Sequence, residues 1–445
     1  MCGGSQCNLF GMLCAYKGIL LLVGEDYVAN KKTEEDVVNK EKQWLFAKLA
    51  KVLGAKNPIE ADGEQDWNSI LKLAKQHAVL SLLDPLLEES EEREKLPENV
   101  KICIREEARK TVRQNYHLLY LEHRIIRTLQ EAGVSVVLLK GASTAEFYPV
   151  PELRKSGDID LLFEDEKMAY AAGKCLETYG FVQESGHQEN HHLTYMNAEG
   201  IRLELHSALV EPFDSAEVNA FLSKCQKEFF ENRVTENVMG VDFLLTSPSY
   251  QAFYLLLHML QHFLRSGFGL RLLCDWVVFW ERGCAAEEEN KFLELVKECG
   301  ILYFACMVTA LCVRYLGLSE NKVSFLRKSG EMGFQGEKRY LKDFLAEIME
   351  AEEFGEMHPE RMVAMRGTGL KDYIREFHHQ MHLRYPRAGR YKILYPALWV
   401  RTFCGFVYRN WKLRKSSSIA ILKNAKKRSR LVAEMELFQK KKNEA

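Results

Sequence analysis

Two aspartates one residue apart, Asp158 and Asp160, are the side chains in this sequence best suited to chemistry. They lie in the apolar run DIDLLF (158–163), which predicts a buried strand. Side chains alternate along a strand, so both carboxylates point to one face while Ile159 and Leu161 point to the other. Two like charges on a buried strand repel each other and cost several kcal/mol without a partner. A divalent cation is the simplest partner that would compensate them.

A third carboxylate follows in IRLELHS (201–207). The same alternation turns Leu203 and Leu205 to the core, and Glu204 and His206 to the opposite face. If this strand neighbours the first, Glu204 meets the two aspartates, and a cluster of carboxylate oxygens selects Mg²⁺ or Mn²⁺. The competing interpretation of Glu204 is the solvated polar face of an edge strand.

A glycine turn precedes the aspartates. LLKGAS (138–143) indicates a strand that runs into Gly141, and we expect Ser143 to cap a short helix there. Glycine lets backbone amides approach a phosphate, and a helix N-terminus favours negative charge. Lys140 and Arg154 add cations nearby. The turn therefore predicts a phosphate site beside the metal site, and together they would form a site for a nucleoside triphosphate.

The elements that must position these residues form a small α/β unit, predicted for residues 133–210. Residues 134–139 are expected to be a buried central strand, and residues 167–179 a helix that Gly180 ends. The segments FVQES, HLTYMN and IRLELHS then read as strands, the last two joined by a turn at Glu199-Gly200.

Helical patterns surround this unit. Residues 41–132 are predicted to be helical, with Leu118, Leu121, Ile125 and Leu129 on one apolar stripe. Residues 211–380 are predicted to form a helical domain. The fold class is therefore α+β, a small mixed sheet embedded in mostly helical N- and C-terminal regions.

The two ends of the chain differ in character. Residues 1–40 are expected to be a disordered or buried helical segment, because the apolar stretch there carries Lys17 and no cleavage site. Residues 381–445 are rich in aromatic and basic residues, with twelve Lys/Arg against three Glu after residue 407. RNA, an acidic protein or a membrane surface could bind such a segment. A solvated helix with a fraying tail is the favoured interpretation.

Composition limits the protein class. The 445 residues are 47% hydrophobic and 28% charged, which is typical of a folded protein with a sizeable core. The net charge of −1 gives no overall attraction to DNA, and no DNA partner is expected. The twelve cysteines include no C-x-x-C pair, which argues against a zinc ribbon and favours a reducing cytoplasm.

His258 and His262 have the four-residue spacing of a zinc-binding pair on a helix. The intervening residues lack the glutamate of a metalloprotease, and no third ligand is evident. The favoured interpretation is a pair of satisfied core or substrate-lining histidines.

The segments LLKG, YPVPELRKSGDIDLLF and LELHSAL together resemble the nucleotidyltransferase superfamily with DNA polymerase β-like folds. The resemblance is strongest to a poorly characterised bacterial branch and extends from Trp67 to Trp411. Arg271 and Asp275 match a recurring feature of its helical part, where they would contact an acceptor or pair with each other. Two positions depart from the superfamily pattern: Ala142 follows the loop glycine in place of serine, and Glu204 replaces an aspartate.

The resemblance implies metal-dependent transfer of a nucleotidyl group, with AMP expected, from an NTP to a protein, small molecule or RNA, with release of pyrophosphate. Asp158, Asp160 and Glu204 would hold two divalent ions and act in catalysis. Lys140, Gly141, Ser143 and Arg154 would bind the nucleotide.

Two alternatives remain open: an Asp-x-Asp glycosyltransferase that uses a nucleotide sugar, and a non-catalytic relative that binds a partner. The glycine turn and Glu204 favour nucleotidyl transfer.

Overall fold

The computed structural model describes residues 38–55, 65–184, 192–213, 215–265, 267–331, 338–351 and 394–402, with isolated positions elsewhere after residue 373. The N-terminal segment predicted for residues 1–40 lies almost entirely outside the described residues. Most of the basic aromatic region predicted for residues 381–445 also lies outside them.

The chain begins with helices α1 (Lys40–Val52), α2 (Trp67–Gln76), α3 (Ser90–Lys95) and α4 (Glu98–Glu131), with a 3₁₀ segment at Ser81–Leu87. The side chain of Asp66 caps α2 by accepting backbone N–H bonds. Leu118, Ile125 and Leu129 of α4 are buried as the apolar stripe predicts. The predicted helical lead-in to the α/β unit is confirmed.

The sheet contains strands β1 (Val137–Leu138), β2 (Asp158–Leu162), β3 (Val182–Gln183), β4 (His192–Met196) and β5 (Arg202–His206). Helices α5 (Ala142–Ala145) and α6 (Glu166–Glu177) connect them. The strand order is β1-β2-β5-β4-β3, with β2 parallel to β5 and the other neighbours antiparallel. The predicted mixed sheet is therefore confirmed.

Two local expectations around the glycine turn are wrong. Strand β1 pairs only with β2 and so lies at the edge of the sheet rather than in its centre. It is short because the chain turns away at Gly141, which has a φ of +74°. Gly141 also occupies the N-cap position of α5, so Ser143 lies inside that helix instead of capping it.

The C-terminal part contains α7 (Ala216–Glu231), β6 (Arg233–Val238), β7 (Val241–Thr246), α8 (Pro248–Arg265), α9 (Leu270–Arg282), α10 (Ala286–Cys299), α11 (Leu302–Leu316), α12 (Ser324–Glu331) and α13 (Lys338–Ala351), with a 3₁₀ turn at Glu320–Lys322. The β6–β7 hairpin falls in a stretch predicted to be helical. Met239 and Gly240 both have positive φ, which fits a two-residue hairpin turn. No helix in the described ranges is long and apolar enough to cross a membrane.

The sheet presents one face to α4 and the other to α8. Ile159, Leu161, Leu203 and Leu205 are fully buried in one apolar cluster with the buried stripe of α4. The opposite face carries the polar side chains of β2 and β5 towards α8. The candidate site therefore lies between a sheet and a helix that are both held by large buried cores.

Candidate active site

The parallel pairing of β2 with β5 brings the predicted carboxylates together. Asp160 is the register partner of Glu204, and Asp158 is the partner of Arg202. Because register partners in neighbouring strands project to the same side, Asp158, Asp160 and Glu204 line one face. Strand β5 also lies between β2 and β4, so Glu204 is not on an edge strand. The edge-strand interpretation of Glu204 is therefore wrong.

His206 connects two of these carboxylates. Its Nε2 lies 3.0 Å from Asp160 Oδ1 and 3.4 Å from Glu204 Oε2. Burial alone would lower the pKa of His206, but the hydrogen bonds to Asp160 and Glu204 raise the pKa to about 9. Burial would raise the pKa of Glu204, yet His206 and Lys140 outweigh it and lower that pKa to about 2. The imidazole therefore carries positive charge beside the ionised Glu204.

Lys140 supplies a second positive charge. Its Nζ lies 3.0 Å from Asp160 Oδ2 and 3.6 Å from Asp158 Oδ2. Burial opposes the charged form, but the two aspartates outweigh burial and raise the pKa of Lys140. The Asp160 side chain is 1% exposed, whereas that of Asp158 is 41% exposed. The cluster is thus closed at Asp160 and open to solvent at Asp158.

The two histidines of α8 contact this cluster through Lys140. His258 Nε2 lies 3.2 Å from Lys140 Nζ, and His262 Nε2 lies 3.1 Å from His258 Nε2. Burial, followed by the positive charge of Lys140, lowers the pKa of His258 well below its usual value and that of His262 to about 4. Both rings are therefore neutral. An ammonium group beside the pair disfavours a zinc site and agrees with the substrate-lining or core interpretation.

Glu122 on α4 is a site residue that the sequence reasoning missed. It is 2% exposed, and its carboxyl group accepts a hydrogen bond from the backbone N–H of Ala142. A Cβ at Gly141 would collide with Glu122 Oε1, so the glycine is required here by both its positive φ and this contact. Burial raises the pKa of Glu122 to about 8, so the acid is mostly protonated at neutral pH.

A signal for Glu122 was present in the sequence. The spacing of Leu118, Ile125 and Leu129 places residue 122 on the same apolar stripe. A single acidic residue on a buried stripe of a helix needs a polar partner in the core. Here that partner is the backbone N–H of Ala142, so a side chain of α4 holds the glycine turn in place.

Two of the predicted nucleotide-binding residues do not face the carboxylates. Ser143 is fully buried and lies 3.4 Å from the side-chain nitrogen of Gln251. Arg154 is 2% exposed and forms a two-pronged ion pair with Asp275, at 2.7 and 2.9 Å. Tyr148 donates to the same carboxylate at 2.6 Å. Asp275 therefore pairs with Arg154 and links the sheet region to α9.

The donor set fits a divalent cation. Ligand atoms of Asp160, Glu204 and His206 all lie within 4.8 Å of one another. Asp160 Oδ2 is buried, and its partner in the described part of the chain is the Lys140 ammonium at 3.0 Å. Carboxylate oxygens suit a hard divalent cation such as Mg²⁺ or Mn²⁺. The protonated His206 holds Asp160 and Glu204 by hydrogen bonds instead of acting as a ligand. Asp158, on the open side of the same strand, completes the predicted carboxylate set.

Comparison with known proteins is consistent with this geometry. Residues 63–317 match a family described as uncharacterised nucleotidyltransferase, and this range is more than half of the chain. The chain belongs to this nucleotidyltransferase family. The matched range starts near Trp67, where the sequence resemblance also starts, and it contains every residue of the candidate site. It ends at residue 317, so it does not extend to Trp411.

One solved structure is similar over part of the chain. It is an antigenic nucleotidyltransferase-like protein from Paracoccidioides brasiliensis, with 18% sequence identity, covering 40% of this chain and 87% of that one at a TM-score of 0.26. At that TM-score the shared geometry is too small to bear on function. No curated protein matches the chain.

Proposed function

We propose that the protein transfers a nucleoside monophosphate, with AMP the expected group, from an NTP to an acceptor hydroxyl. The observation that carries the proposal is the parallel register that sets Asp160 beside Glu204, with Asp158 on the same face. In this reaction the acceptor oxygen forms a bond to the α-phosphorus, the bond to the bridging oxygen of the β-phosphate breaks, and pyrophosphate leaves. The acceptor's proton passes to a base or to water.

The carboxylates are the expected ligands of the metal. Divalent ions held by Asp158, Asp160 and Glu204 would neutralise the negative charge of the triphosphate and the charge that develops on the attacking oxygen. His206 orients Asp160 and Glu204, since it contacts both. The openness of the cluster at Asp158 supports an approach of the nucleotide from that side.

Lys140 is the cation best placed for the triphosphate. It lies two residues past the end of β1, and its Nζ lies within 4 Å of both aspartates. The N–H of Ala142 is engaged by Glu122, so phosphate contacts in this turn would come from Lys140 rather than from that amide. Arg154 is held by Asp275, so we assign it a role in positioning the segment that enters β2.

A second candidate is a relative that binds nucleotide without transferring it. Two predicted nucleotide-binding side chains, Ser143 and Arg154, are buried away from the carboxylates, which favours this candidate. The intact set of three carboxylates on one face favours transfer, because a binding module has no need of such a charge cluster.

The test is a labelling assay with each α-³²P-labelled NTP, Mg²⁺ or Mn²⁺, and a cell extract as a source of acceptors. We expect label on an acceptor together with release of pyrophosphate. Both should be absent with Asp160→Asn and retained with Glu164→Gln, a change at an exposed carboxylate just past β2. Nucleotide binding with no labelling in any condition would favour the non-catalytic candidate.

A further inference from the structure

The outer face of α4 carries an alternation of arginine and tyrosine that the reaction does not use. We call it the Arg–Tyr stripe, and it consists of Arg109, Arg113, Tyr116, Tyr120, Arg124 and Arg127. Steps of three or four residues keep all six on one side of a helix with 3.6 residues per turn. All six side chains are exposed, with Tyr116 at 49% and Tyr120 at 60%.

We propose that the Arg–Tyr stripe binds a single-stranded nucleic acid. Surfaces that bind such strands combine cations that follow the phosphates with aromatic rings on which bases stack. In the stripe, the two tyrosines lie between two pairs of arginines. This binding surface is separate from the carboxylate cluster and stands whether or not the proposed transfer occurs.

The middle of α4 carries an excess of basic side chains although the whole chain has a net charge of −1. Between Glu107 and Glu122 the helix carries no acidic residue, while Arg109, Lys110 and Arg113 all lie there. Glu122 points into the core and adds no charge to the outer face. Carboxylates border the stripe at Glu106, Glu152 and Glu199. The stripe itself carries four arginines and no carboxylate, which gives the row of cations that a polyanion requires.

Both tyrosine rings are held by polar contacts and keep about half of their surface exposed. The guanidinium of Arg124 lies 5.6 Å from the ring centroid of Tyr120, which forms a cation–π pair. The hydroxyl of Tyr116 donates to Glu152 at 3.0 Å and fixes that ring while half of it stays exposed. Arg127 is paired with Glu131 at 2.9 Å and is the most engaged arginine of the four.

The stripe has the length for several nucleotides and leads to the site. From Arg109 to Arg127 it covers about 27 Å, given a rise of about 1.5 Å per residue. Within the stripe, Tyr116 contacts Glu152, which lies six residues before Asp158. A strand bound along α4 would thus pass beside the segment that enters β2.

A membrane surface fits the stripe less well. A helix that lies on a membrane needs an apolar face that enters the acyl boundary. The stripe contains arginines and tyrosines and no aliphatic side chain. Its chemistry therefore favours phosphates and bases over lipid chains.

The test is fluorescence anisotropy of the full chain with a fluorescein-labelled, mixed-sequence 20-nucleotide RNA and the DNA strand of the same sequence. We expect saturable binding to at least one strand, weakening with salt because phosphate contacts dominate. Arg109→Gln/Arg113→Gln/Arg124→Gln should weaken binding by more than about tenfold. Tyr116→Leu/Tyr120→Leu should weaken it by about tenfold and leave the salt dependence unchanged.

The matched control removes the same charge elsewhere. Lys72→Gln/Lys75→Gln/Arg93→Gln deletes three exposed cations from α2 and α3, and should bind like wild type. Circular dichroism melts of all variants should agree, since every altered side chain is exposed. Binding to phosphatidylserine vesicles is measured in parallel by co-sedimentation. The proposal is overturned if neither strand binds, if the control loses as much affinity as the stripe variant, or if the stripe variant keeps its affinity for RNA and DNA and loses only its binding to the vesicles.

Discussion

Two clusters of buried charge lie near each other in this protein and are built in opposite ways. The closed cluster consists of Tyr148, Arg154 and Asp275. The open cluster consists of Lys140, Asp158, Asp160, Glu204 and His206. In the closed cluster, one guanidinium and one carboxylate meet through two hydrogen bonds, and their side chains are 2% and 1% exposed. In the open cluster, three carboxylates face one ammonium and one imidazole.

The difference separates a structural ion pair from a binding site. A buried pair with matched charge and complete hydrogen bonding has no remaining affinity for a ligand, and its effect is to join two elements. A cluster with an excess of carboxylates and an exposed edge at Asp158 attracts a cation. Sequence proximity alone does not separate them, because Arg154 and Asp158 are only four residues apart.

The largest effect should come from Glu204→Gln in the open cluster. The change keeps the size of the side chain and removes its charge, so we expect a turnover lower by about 10²–10⁴-fold with NTP affinity changed by only a small factor. Nucleotide titration and pyrophosphate release measure the two quantities. If affinity collapses while turnover survives, Glu204 is a nucleotide ligand and the attacking group lies elsewhere.

Asp275→Asn in the closed cluster should act on stability. It leaves the Arg154 guanidinium buried without its counter-ion, which costs about 3–5 kcal/mol in the free energy of unfolding. The matched double variant Arg154→Met/Asp275→Leu removes both charges and should cost clearly less. Urea unfolding of the three proteins measures the differences. Equal stability of Asp275→Asn and wild type would mean that the pair does not tie α9 to the sheet region.

Glu122→Gln should change how stability depends on pH. The folded-state pKa of Glu122 is raised from 4.5 to about 8. The stability of the folded protein is therefore unaffected by this group below pH 4.5 and falls as the pH rises from 4.5 towards 8. By pH 7 the loss in the free energy of unfolding amounts to about 3 kcal/mol. Glutamine cannot ionise, so the variant should gain stability relative to wild type as pH rises over this window.

Urea unfolding at pH 5, 6, 7 and 8 measures that difference. The control is Glu106→Gln, which removes an exposed carboxylate from the same helix and should follow wild type. Parallel pH profiles for Glu122→Gln and wild type would show that Glu122 is not held protonated.

The sequence was sufficient for the elements whose pattern is local. Alternation in DIDLLF and IRLELHS placed three carboxylates on one face, and the register of β2 with β5 agrees. The β6–β7 hairpin was missed because Glu236 interrupts the alternation of β6, where it shares a face with Val234 and Val238, and because the turn at Met239-Gly240 is a weak signal.

The contacts that depend on packing could not be predicted in the same way. Arg154 lies close in sequence to the aspartates and was expected at the phosphates, but Asp275, 121 residues later, holds it. Strand alternation correctly predicted the face of His206, yet the contacts of His206 with Asp160 and Glu204 depend on which strands are neighbours. Both sets of contacts join residues that are distant in sequence, so they could be seen only in the folded structure.

The measurement that tests the open cluster most directly is Mn²⁺ binding, by electron paramagnetic resonance, in the presence of a non-hydrolysable NTP analogue. Wild type should bind Mn²⁺ and the analogue together, Asp160→Asn should lose more than about tenfold in Mn²⁺ affinity, and Glu164→Gln should match wild type. Wild-type Mn²⁺ affinity in Asp160→Asn would contradict the assignment of these carboxylates as the metal site.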